Sequence, residues 1–525
     1  LRTGASLQTG LVPVPEECST LSPSSAQWKR LDCQANLHMN FYGVTLGAQG
    51  LIYEVNQAAT DDPYANPPNW NAGGDPLSGD DGRVIDELWH AAINSRGEFI
   101  NAKTPGDVTD AMRRVLEAVG AAASPSGTLA TSGARIGAGS LTVSPEYSVQ
   151  KNGTDWFSRL TAARVTVNAA REAQFTPIWE ASAQLPAAAA RNVYFNDGSS
   201  VRKFGPTTVT LAGLCGLSSS LYPGQAICTT GGLTGLGATP TIAANYLLGD
   251  TANEVRRNGK LRDRTNALGD IINSTPVISA PTDDFGYRAL GGTLASSYTA
   301  YLNSKRTSKR FMVYAGANDG MLHAFDGGMD GTGAVSGNGG RETFGYIPAT
   351  SYGHMGNLLI PYDPAKVNAQ QFSHRYFVDG PLTVADTYYN DTWNTTLVGS
   401  TGAGGRGVFA LDVTTPGSFT ATNRLWEIND LSGADAVKAN IGHVLGKPVI
   451  VPVRTLNGGV SWKAIFGNGY SSSSGKAVLF VVDIGNAATP TIRMIEATES
   501  NSGIAGSNGL GNIIVLDRQI GRAHV

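Results

Sequence analysis

The chain has 525 residues and a mass of 54.8 kDa, which at about 150 residues per domain suggests about three domains. Lys and Arg total 39 against 42 Asp and Glu, a net charge of −3, and no basic run offers a charged face to phosphates. This balance argues against a nucleic-acid-binding protein. The 65 glycines and the low charged share of 15% are typical of many tight turns, so a mainly β protein is favoured over a helix-rich enzyme.

The two ends of the sequence bear on its origin. It begins at Leu1 without a basic-then-apolar signal pattern, so we expect the natural start to lie upstream. No apolar run approaches the roughly 18 residues that a membrane span requires, so no transmembrane segment is predicted. Residues 520–525 match the conceptual translation of a common sequencing-adaptor read, and we expect this tail to be foreign to the fold.

The four cysteines form two pairs of neighbours along the sequence, Cys18 with Cys33 and Cys215 with Cys228. No Cys-x-x-Cys occurs, which disfavours zinc ribbons and thioredoxin-like redox chemistry. Two local disulfides would each close a short loop in an oxidising compartment, whereas the alternative is four unpaired thiols that behave as small apolar residues. Together with the low charge, the pairing favours an exported protein over a cytosolic one.

Residues 1–120 are the mixed α/β part of the sequence. Residues 39–46 read as a buried strand, and an apolar helical stripe follows: Ile85, Leu88, Trp89, Ala92 and Ile93. A second helix is predicted to begin after the N-cap Thr104, with Pro105 at its first position, and to end at Gly120. Strand, helix, short strand and helix indicate the C-terminal part of an α/β domain.

Residues 121–267 are predicted to be a β-rich connecting region. A low-complexity stretch to about residue 150 precedes short alternating strands around Trp156, Trp179 and Tyr194. Five of the nine residues from Arg256 to Arg264 are basic, and so short a run is more often a solvated face than a binding site.

From Leu268 the sequence repeats itself. A first signature, an extended segment with a proline, occurs at residues 272–279, 378–384 and 445–451. A second, an apolar strand, a glycine turn and an apolar strand ending in Asp, occurs at 313–326, 397–412 and 465–483. A further unit opens at 508–517. Self-similar antiparallel units of this kind indicate propeller blades, so residues 268–519 are predicted to be an incomplete β-propeller.

The glycine-rich turns inside these repeats do not suit a phosphate site. Residues 402–407 lie between two predicted strands, so no helix N-terminus would face a phosphate. Asn318-Asp319-Gly320 is typical of a hairpin turn, because such turns need residues that tolerate positive φ. Both segments are interpreted as structural.

No catalytic or cofactor-binding residue is predicted. The seven histidines are scattered without metal-ligand spacing, and His323 and His374 are expected to be ordered blade residues rather than ligands. There is no Gly-x-Ser-x-Gly elbow, paired-carboxylate or Cys/His motif, although a constellation assembled across blades stays open.

The remaining acidic motifs are weaker still. Four acidic residues lack the alternating spacing of a calcium loop and are expected to form a solvated acidic loop: Asp75, Asp80, Asp81 and Asp86. The tripeptide 96–98, Arg-Gly-Glu, is interpreted as a turn rather than an integrin-type motif.

Six segments together resemble the PilC/PilY family of type IV pilus biogenesis and tip-adhesin proteins. They are residues 268–276, 314–326, 374–380, 404–413, 426–427 and 466–470. Residues 85–99 resemble, more weakly, the last helices of the von Willebrand factor A-like domain that precedes the propeller in many members. The resemblance implies a mainly β protein: a partial quinoprotein-like β-propeller preceded by the C-terminal part of an α/β von Willebrand factor A-like domain.

The resemblance also implies a function without enzymatic activity. Such proteins support pilus extension against retraction and mediate attachment. The expected partners are minor pilins or the pilus tip and a host-cell or abiotic surface, with no nucleic acid. The expected location is exported: the pilus tip, outer-membrane surface or periplasm of a Gram-negative bacterium.

A calcium loop of alternating Asp and Asn residues follows the corresponding propeller strand in the family. Asp517 falls at its first ligand position, and Arg518 and Gln519 follow it. Calcium takes six to eight oxygen ligands, which one carboxylate cannot supply. We therefore expect calcium in the full-length protein and none bound at this place in the present chain. The metal-binding aspartate-serine motif of the A-like domain would lie upstream of Leu1.

Two other classes remain as alternatives. A quinoprotein-like periplasmic dehydrogenase shares the blade signature, but it would need an adjacent Cys-Cys pair, which the sequence lacks, and a calcium-bound cofactor. A scaffold propeller of outer-membrane assembly would bind partners without adhesion. The A-like helices favour the pilus hypothesis over the scaffold.

Overall fold

The structure is a computed structural model. It describes residues 18, 21–31, 33, 36, 39–55, 62–73, 75, 82–103, 130–131, 140–150, 153–168, 173–217, 221, 228–361, 372–485, 490–497 and 508–516. The protein divides into two compact units, residues 1–124 with 149–153 and residues 125–148 with 154–525.

The first unit is a small α/β arrangement. Strands β1 (Gly43–Leu46) and β2 (Phe99–Ala102) pair in parallel, and helix α2 (Arg83–Asn94) lies between them in sequence. A parallel pair requires such a crossover, and α2 packs on both strands. A short helix α1 (Ala26–Arg30) precedes β1. The first helix is confirmed. The predicted strand is confirmed only over Gly43–Leu46, and the prediction that it is buried is wrong, because Leu46 is 79% exposed in a sheet of two strands. The second helix, at 104–120, falls outside the described residues, and the A-like assignment stays a prediction.

Asp86 corrects one prediction in this unit. It is 5% exposed, and its carboxylate accepts hydrogen bonds from the backbone N–H groups of residues 51, 52 and 53, the shortest at 2.9 Å. The solvated-loop prediction is therefore wrong for Asp86, because those amides need a buried acceptor. Asp75 is exposed as predicted, and Asp80 and Asp81 fall outside the described residues. Arg96, with φ of +62°, lies in the predicted turn.

Both predicted disulfides are formed, Cys18 with Cys33 and Cys215 with Cys228. Cys228 is 2% exposed, and its backbone N–H donates to the Asn357 side chain at 3.0 Å. Cys228 therefore anchors the second disulfide in the core of the second unit.

The second unit begins with a four-stranded sheet from the connecting region. Its strands are β3 (Ala130–Thr131), β4 (Leu141–Gln150), β5 (Asp155–Val167) and β6 (Ala173–Glu180), in that order. This arrangement confirms the strands predicted around Trp156 and Trp179. The Trp179 indole N–H donates to the carbonyl of Gly327 at 2.9 Å, so this sheet is fastened to the first repeat unit.

The first repeat unit forms blade 1. Its strands are β9 (Val277–Ser279), β10 (Arg310–Gly316), β11 (Leu322–Asp330) and β12 (Glu342–Ile347), all antiparallel neighbours. Two strands of the connecting region, β7 (Val193–Asn196) and β8 (Val201–Lys203), extend this sheet, with β7 parallel to β12. The hairpin turn predicted at 318–320 joins β10 to β11, and Gly320 there has φ of +101°.

The next two repeat units form blades 2 and 3. Blade 2 contains β13 (Leu382–Tyr389), β14 (Thr392–Ser400), β15 (Gly407–Asp412) and β16 (Arg424–Asn429). Blade 3 contains β17 (Val449–Arg454), β18 (Val460–Gly467), β19 (Val478–Asp483) and β20 (Ile492–Glu496). Each sheet is a simple antiparallel meander. The predicted repeats are thus blades, and 402–407 is a turn between β14 and β15, as predicted.

The proline of each first signature immediately precedes the first strand of its blade. Pro276, Pro381 and Pro448 stand one residue before β9, β13 and β17. Proline has no backbone N–H to donate to a neighbouring strand. At the start of an edge strand its presence therefore removes no hydrogen bond between strands.

Successive sheets stack through apolar clusters that each draw on two neighbours. One cluster joins the β3–β6 sheet to blade 1, a second joins blades 1 and 2, and a third joins blades 2 and 3. Because blades 1 and 2 each bury both faces in this way, the second unit has the face-to-face sheet packing of a propeller.

Helices fill the gaps in this β framework. In sequence order they are α3 (Leu211–Cys215), α4 (Thr230–Gly235), α5 (Pro240–Leu247), α6 (Gly292–Ser308), α7 (Ala349–Tyr352) and α8 (Asp435–Asn440). The expectation of strands throughout 155–267 is therefore wrong for α3 to α5. Their N-caps Thr210, Thr229 and Thr239 each accept a backbone N–H, which is a readable helix-start signal.

The basic run at 256–264 is only half solvated. Arg256 and Arg257 are exposed as predicted, but Arg262 and Arg264 are buried. Arg264 pairs with the buried Glu254 at 3.2 Å, and Arg262 donates to a backbone carbonyl at 3.0 Å. The solvated-face prediction is wrong for these two arginines because they lie on the inward side of an extended segment.

Candidate functional site

The segments that begin the blades line an open cavity of about 770 Å³ in the second unit, here called the axial cavity. Its walls are residues 276–278 of blade 1, Pro381 and Leu382 of blade 2, Leu445 and Lys447 before blade 3, and Asn512. The proline segments that repeat along the sequence are therefore brought together in space. β13 contacts both β9 and β17, which fixes the spacing of the walls.

The lining of the axial cavity combines apolar and polar groups. Proline, valine, isoleucine and leucine side chains come from the first strands, and Leu445 is 49% exposed. Asn273, Asp379 and Lys447 add an amide, a carboxylate and an ammonium group. A lining of mixed apolar and polar character can accommodate a peptide segment.

Asp379 is held in place at the cavity wall by Asn273. The Asn273 backbone N–H donates to Oδ1 at 3.2 Å and its side-chain Nδ2 donates to Oδ2 at 2.6 Å. Burial raises the pKa of Asp379, an effect that the two Asn273 hydrogen bonds oppose and the neighbouring Asp270 carboxylate reinforces. Asp379 thus joins the first family segment to the third.

Two further contacts meet at Asp270 and join the first family segment to the third and to the second. His374 Nε2 lies 2.8 Å from Oδ2 of Asp270, and Nδ2 of Asn318 donates to the same oxygen at 2.7 Å. The ring of Trp156 covers His374 with the ring centroids 4.0 Å apart. His374 is therefore an ordered, hydrogen-bonded blade residue, as predicted.

Four charged side chains at blade 1 and before β7 form a buried cluster, here called the His323 cluster. His323 Nδ1 lies 2.7 Å from Glu342, and Nε2 lies 3.0 Å from Asp319. Glu342 also accepts two hydrogen bonds from Arg191, at 2.6 and 2.7 Å. The cluster connects the β7 extension to blade 1.

The charges in the His323 cluster stabilise one another. Burial alone would lower the pKa of His323, but the Asp319 and Glu342 carboxylates raise it to about 9. Burial would raise the pKa of Glu342, yet Arg191 and His323 lower it to about 2. His323 is an ordered residue, as predicted, but its two carboxylate partners were not predicted. Asp319 is only four residues from His323, so the sequence could have suggested this pair. Glu342 lies on a different strand, and nothing near His323 in the sequence points to it.

The last repeat unit reaches the axial cavity. Gly469 of blade 3 donates its N–H to the carbonyl of Leu510 at 2.8 Å, and Asn512 lines the cavity. Beyond it, Ile514 is 85% and Leu516 is 84% exposed. Asp517 falls outside the described residues, so its place in a calcium loop stays a prediction.

Metal binding and membrane insertion can be judged only for the part of the protein that the structure describes. There, no group of three or more His, Cys, Asp or Glu side chains is arranged to hold a metal ion. None of the helices there combines the length and the apolar character of a membrane span. The described residues alone therefore do not fit a calcium site.

Comparison with known proteins identifies relatives over most of the sequence. Residues 268–522 match the family described as the PilY1 beta-propeller domain. A type IV pilus biogenesis factor PilY1 homolog of Xylella fastidiosa is 35% identical over 473 residues, covering 82% of this chain and 30% of the relative. The type IV pilus biogenesis factor PilY1 of Pseudomonas aeruginosa strain PAO1 is 28% identical over 523 residues, covering 96% of this chain and 40% of the relative.

A solved structure, the C-terminal domain of Pseudomonas aeruginosa PilY1, is 34% identical, with a TM-score of 0.30. The match covers 42% of the present protein and 36% of that structure. The present chain spans 30% to 40% of the length of the relatives described above. The matched family region is the one whose repeats form the blades around the axial cavity, and the chain therefore belongs to the PilY1 family of β-propeller proteins.

Proposed function

We propose that this chain is the blade-bearing part of a type IV pilus biogenesis factor that acts by binding, not by catalysis. The observation that carries the proposal is the coincidence of two ranges. The residues matched to the PilY1 propeller family, 268–522, include the three repeat units that stack into blades and converge on the axial cavity.

The axial cavity is the proposed contact site for a pilus partner. A minor pilin or another pilus-tip segment would place apolar side chains against Leu445 and Leu382 and polar groups near Asp379 and Lys447. Two charges of opposite sign at the wall suit a polypeptide better than a uniformly charged ligand.

We further propose that the protein is exported and works at the pilus tip, the outer-membrane surface or the periplasm of a Gram-negative bacterium. The two disulfides support this location, because disulfides persist in oxidising compartments. At that location the protein would support extension of the fibre against retraction and mediate attachment to host cells or abiotic surfaces.

A genetic test compares two leucine variants in the full-length gene, expressed in a piliated Gram-negative host that lacks its own relative. Leu445→Asp puts a charge into the axial cavity, whereas Leu456→Asp changes a fully exposed leucine of the β17–β18 turn. We expect Leu456→Asp to restore surface pili and attachment and Leu445→Asp not to, at equal protein levels.

Removing the retraction motor separates the proposed roles. If Leu445→Asp cells regain pili in that background but still fail to attach, the cavity serves adhesion and opposition to retraction. Normal piliation and attachment by Leu445→Asp in both backgrounds would contradict the proposed site. If every complemented strain makes pili but none attaches, the proposed adhesin role is contradicted. The alternative of a scaffold that binds partners without adhesion would then explain the data.

Calcium enters as a separate proposal for the longer protein. Asp517 would supply the first ligand, and the remaining oxygens would come from residues that follow it in the relatives. Calorimetric titration should give a tight site in the full-length protein that is lost in Asp517→Ala, and none in the present chain. A tight site in the present chain would contradict this assignment.

A further inference from the structure

A second cleft, of about 340 Å³, lies between blades 1 and 2 on the side of helix α6. The last turn of α6, strand β10 and the segment 413–418 after β15 form its walls. It shares no lining residue with the axial cavity, so it is a separate site. We call it the rim cleft.

Three cations line the rim cleft, and two of them are matched by carboxylates. Lys305 lies 2.9 Å from Asp386, and Arg310 donates to Asp326 at 3.0 Å. Lys309 instead donates to the backbone carbonyl of residue 414, and no carboxylate of the described residues lies within ion-pair distance of it. The rim cleft therefore carries one cation that the protein does not neutralise by direct pairing.

The environment of Lys309 favours a negatively charged ligand. Its ammonium is partly buried, and burial lowers the pKa of Lys309 while the more distant Asp412 opposes that effect. The carbonyl end of α6 keeps the Lys309 ammonium charged, because cations near a helix C-terminus are favourable. Pairing with an anion would offset the free energy that the Lys309 ammonium loses when burial removes water from it.

Neutral hydroxyl groups line the rim cleft together with Lys309. Four of them line the cleft without a hydrogen-bond partner among the described residues: Ser279, Thr343, Thr415 and Ser418. The fully buried Tyr314 also lines it. Hydroxyls can donate to a carboxylate, which accepts up to about four hydrogen bonds.

We propose that the rim cleft binds a peptide carboxylate, which pairs with Lys309 and accepts hydrogen bonds from the surrounding hydroxyls. One unmatched cation fits a monoanion, whereas a phosphate would call for additional cations such as clustered arginines. Met312 and Val413 supply an apolar wall for the side chain next to the carboxylate. The carboxyl terminus of a polypeptide and an acidic side chain share this chemistry.

Saturation-transfer NMR on the purified 525-residue protein at pH 7 tests the proposal with three defined probes. They are N-acetyl-Ala-Ala with a free carboxylate, its C-terminal amide, and N-acetyl-Ala-Asp-Ala-amide. We expect a carboxylate probe to bind at least about tenfold more tightly than the uncharged amide, because a charge-assisted bond is lost in the amide. The preferred carboxylate probe distinguishes a peptide terminus from an acidic side chain.

Variants connect the binding to Lys309. Lys309→Met should weaken the preferred probe to the level of the amide, Lys309→Arg should retain binding, and Lys203→Met, at an exposed lysine of β8, should bind like the wild type. Binding of both carboxylate probes no tighter than that of the amide, or undiminished binding by Lys309→Met, would overturn the proposal. If Lys309→Met fails to fold, comparing carboxylate and amide probes on the wild type and on Lys309→Arg still tests whether the cleft binds a carboxylate.

Discussion

The Glu342→Gln substitution tests whether the His323 cluster holds the β7 extension on blade 1. The Glu342 side chain is 1% exposed and faces two Arg191 donors at 2.6 and 2.7 Å and His323 at 2.7 Å. Glutamine keeps the shape but removes the charge, and its amide group would direct N–H bonds at groups that are themselves donors. The substitution therefore leaves Arg191 as a buried cation without its carboxylate.

Breaking a buried pair in this way costs about 3 to 5 kcal/mol. Asp197→Asn is the matched control, because Asp197 pairs with Arg202 on the neighbouring β7–β8 hairpin, where the Arg202 side chain is 47% exposed. An exposed pair contributes at most about 1 kcal/mol. The difference in burial alone therefore predicts a severalfold larger effect for Glu342→Gln.

Urea unfolding followed by both circular dichroism and tryptophan fluorescence measures the two free energies of unfolding. Coincident transitions by the two probes are needed before the midpoints are compared. We expect Glu342→Gln to lose at least about 3 kcal/mol and Asp197→Asn less than about 1 kcal/mol. Equal losses in the two variants would refute the inference that burial makes the cluster important for stability.

Three further predictions concern stability. The His323 pKa of about 9 in the folded protein exceeds its ordinary value of 6.5, so its contribution is fully present below pH 6.5 and is lost as the pH rises through about 9; urea midpoints should fall across that window, and fall less in Glu342→Gln. Replacing Cys215 and Cys228 together by serine should cost about 3 kcal/mol in the same assay, and an unchanged midpoint would mean that the disulfide does not constrain the unfolded state. Trp179→Phe removes the donor to the Gly327 carbonyl and should cost about 1 to 3 kcal/mol; no loss would show that this contact does not fasten the β3–β6 sheet to blade 1.

Local patterns in the sequence predicted the repeating parts of the fold. The three proline segments and the apolar strands ending in Asp mark strands that pair with their immediate neighbours, and such pairing leaves a regular signal. The two disulfides were readable because each joins cysteines that are close in sequence.

The parts that sequence reasoning missed depend on contacts between distant residues. Arg191 and Glu342 are 151 residues apart, and nothing in either neighbourhood reveals the partner. Helix α6 carries a weak stripe, Tyr298 and Leu302, that becomes apolar core only because it packs on blade 2 near Trp393. Asp86 and Arg264 look solvated in sequence, since acidic and basic side chains are seldom buried without partners that the fold supplies.

The sequence contains the repeated segments that line the axial cavity, but the cavity itself was not predicted. The sequence revealed that Pro276, Pro381 and Pro448 recur at equivalent places, yet periodicity does not state where the repeats meet. Radial stacking places these segments around one axis, and the cavity with its lining of Leu445, Lys447 and Asp379 follows from that stacking.

Site-specific photo-crosslinking tests the central claim most directly. A photoreactive amino acid is placed at position 445 in the axial cavity or at the exposed position 456 of the full-length protein, in cells that assemble pili. Immunoblotting for the minor pilins then identifies the contact. We expect a minor-pilin adduct from position 445 and none from position 456, whereas equal adducts from both positions, or none from position 445 in piliated cells, would contradict the account.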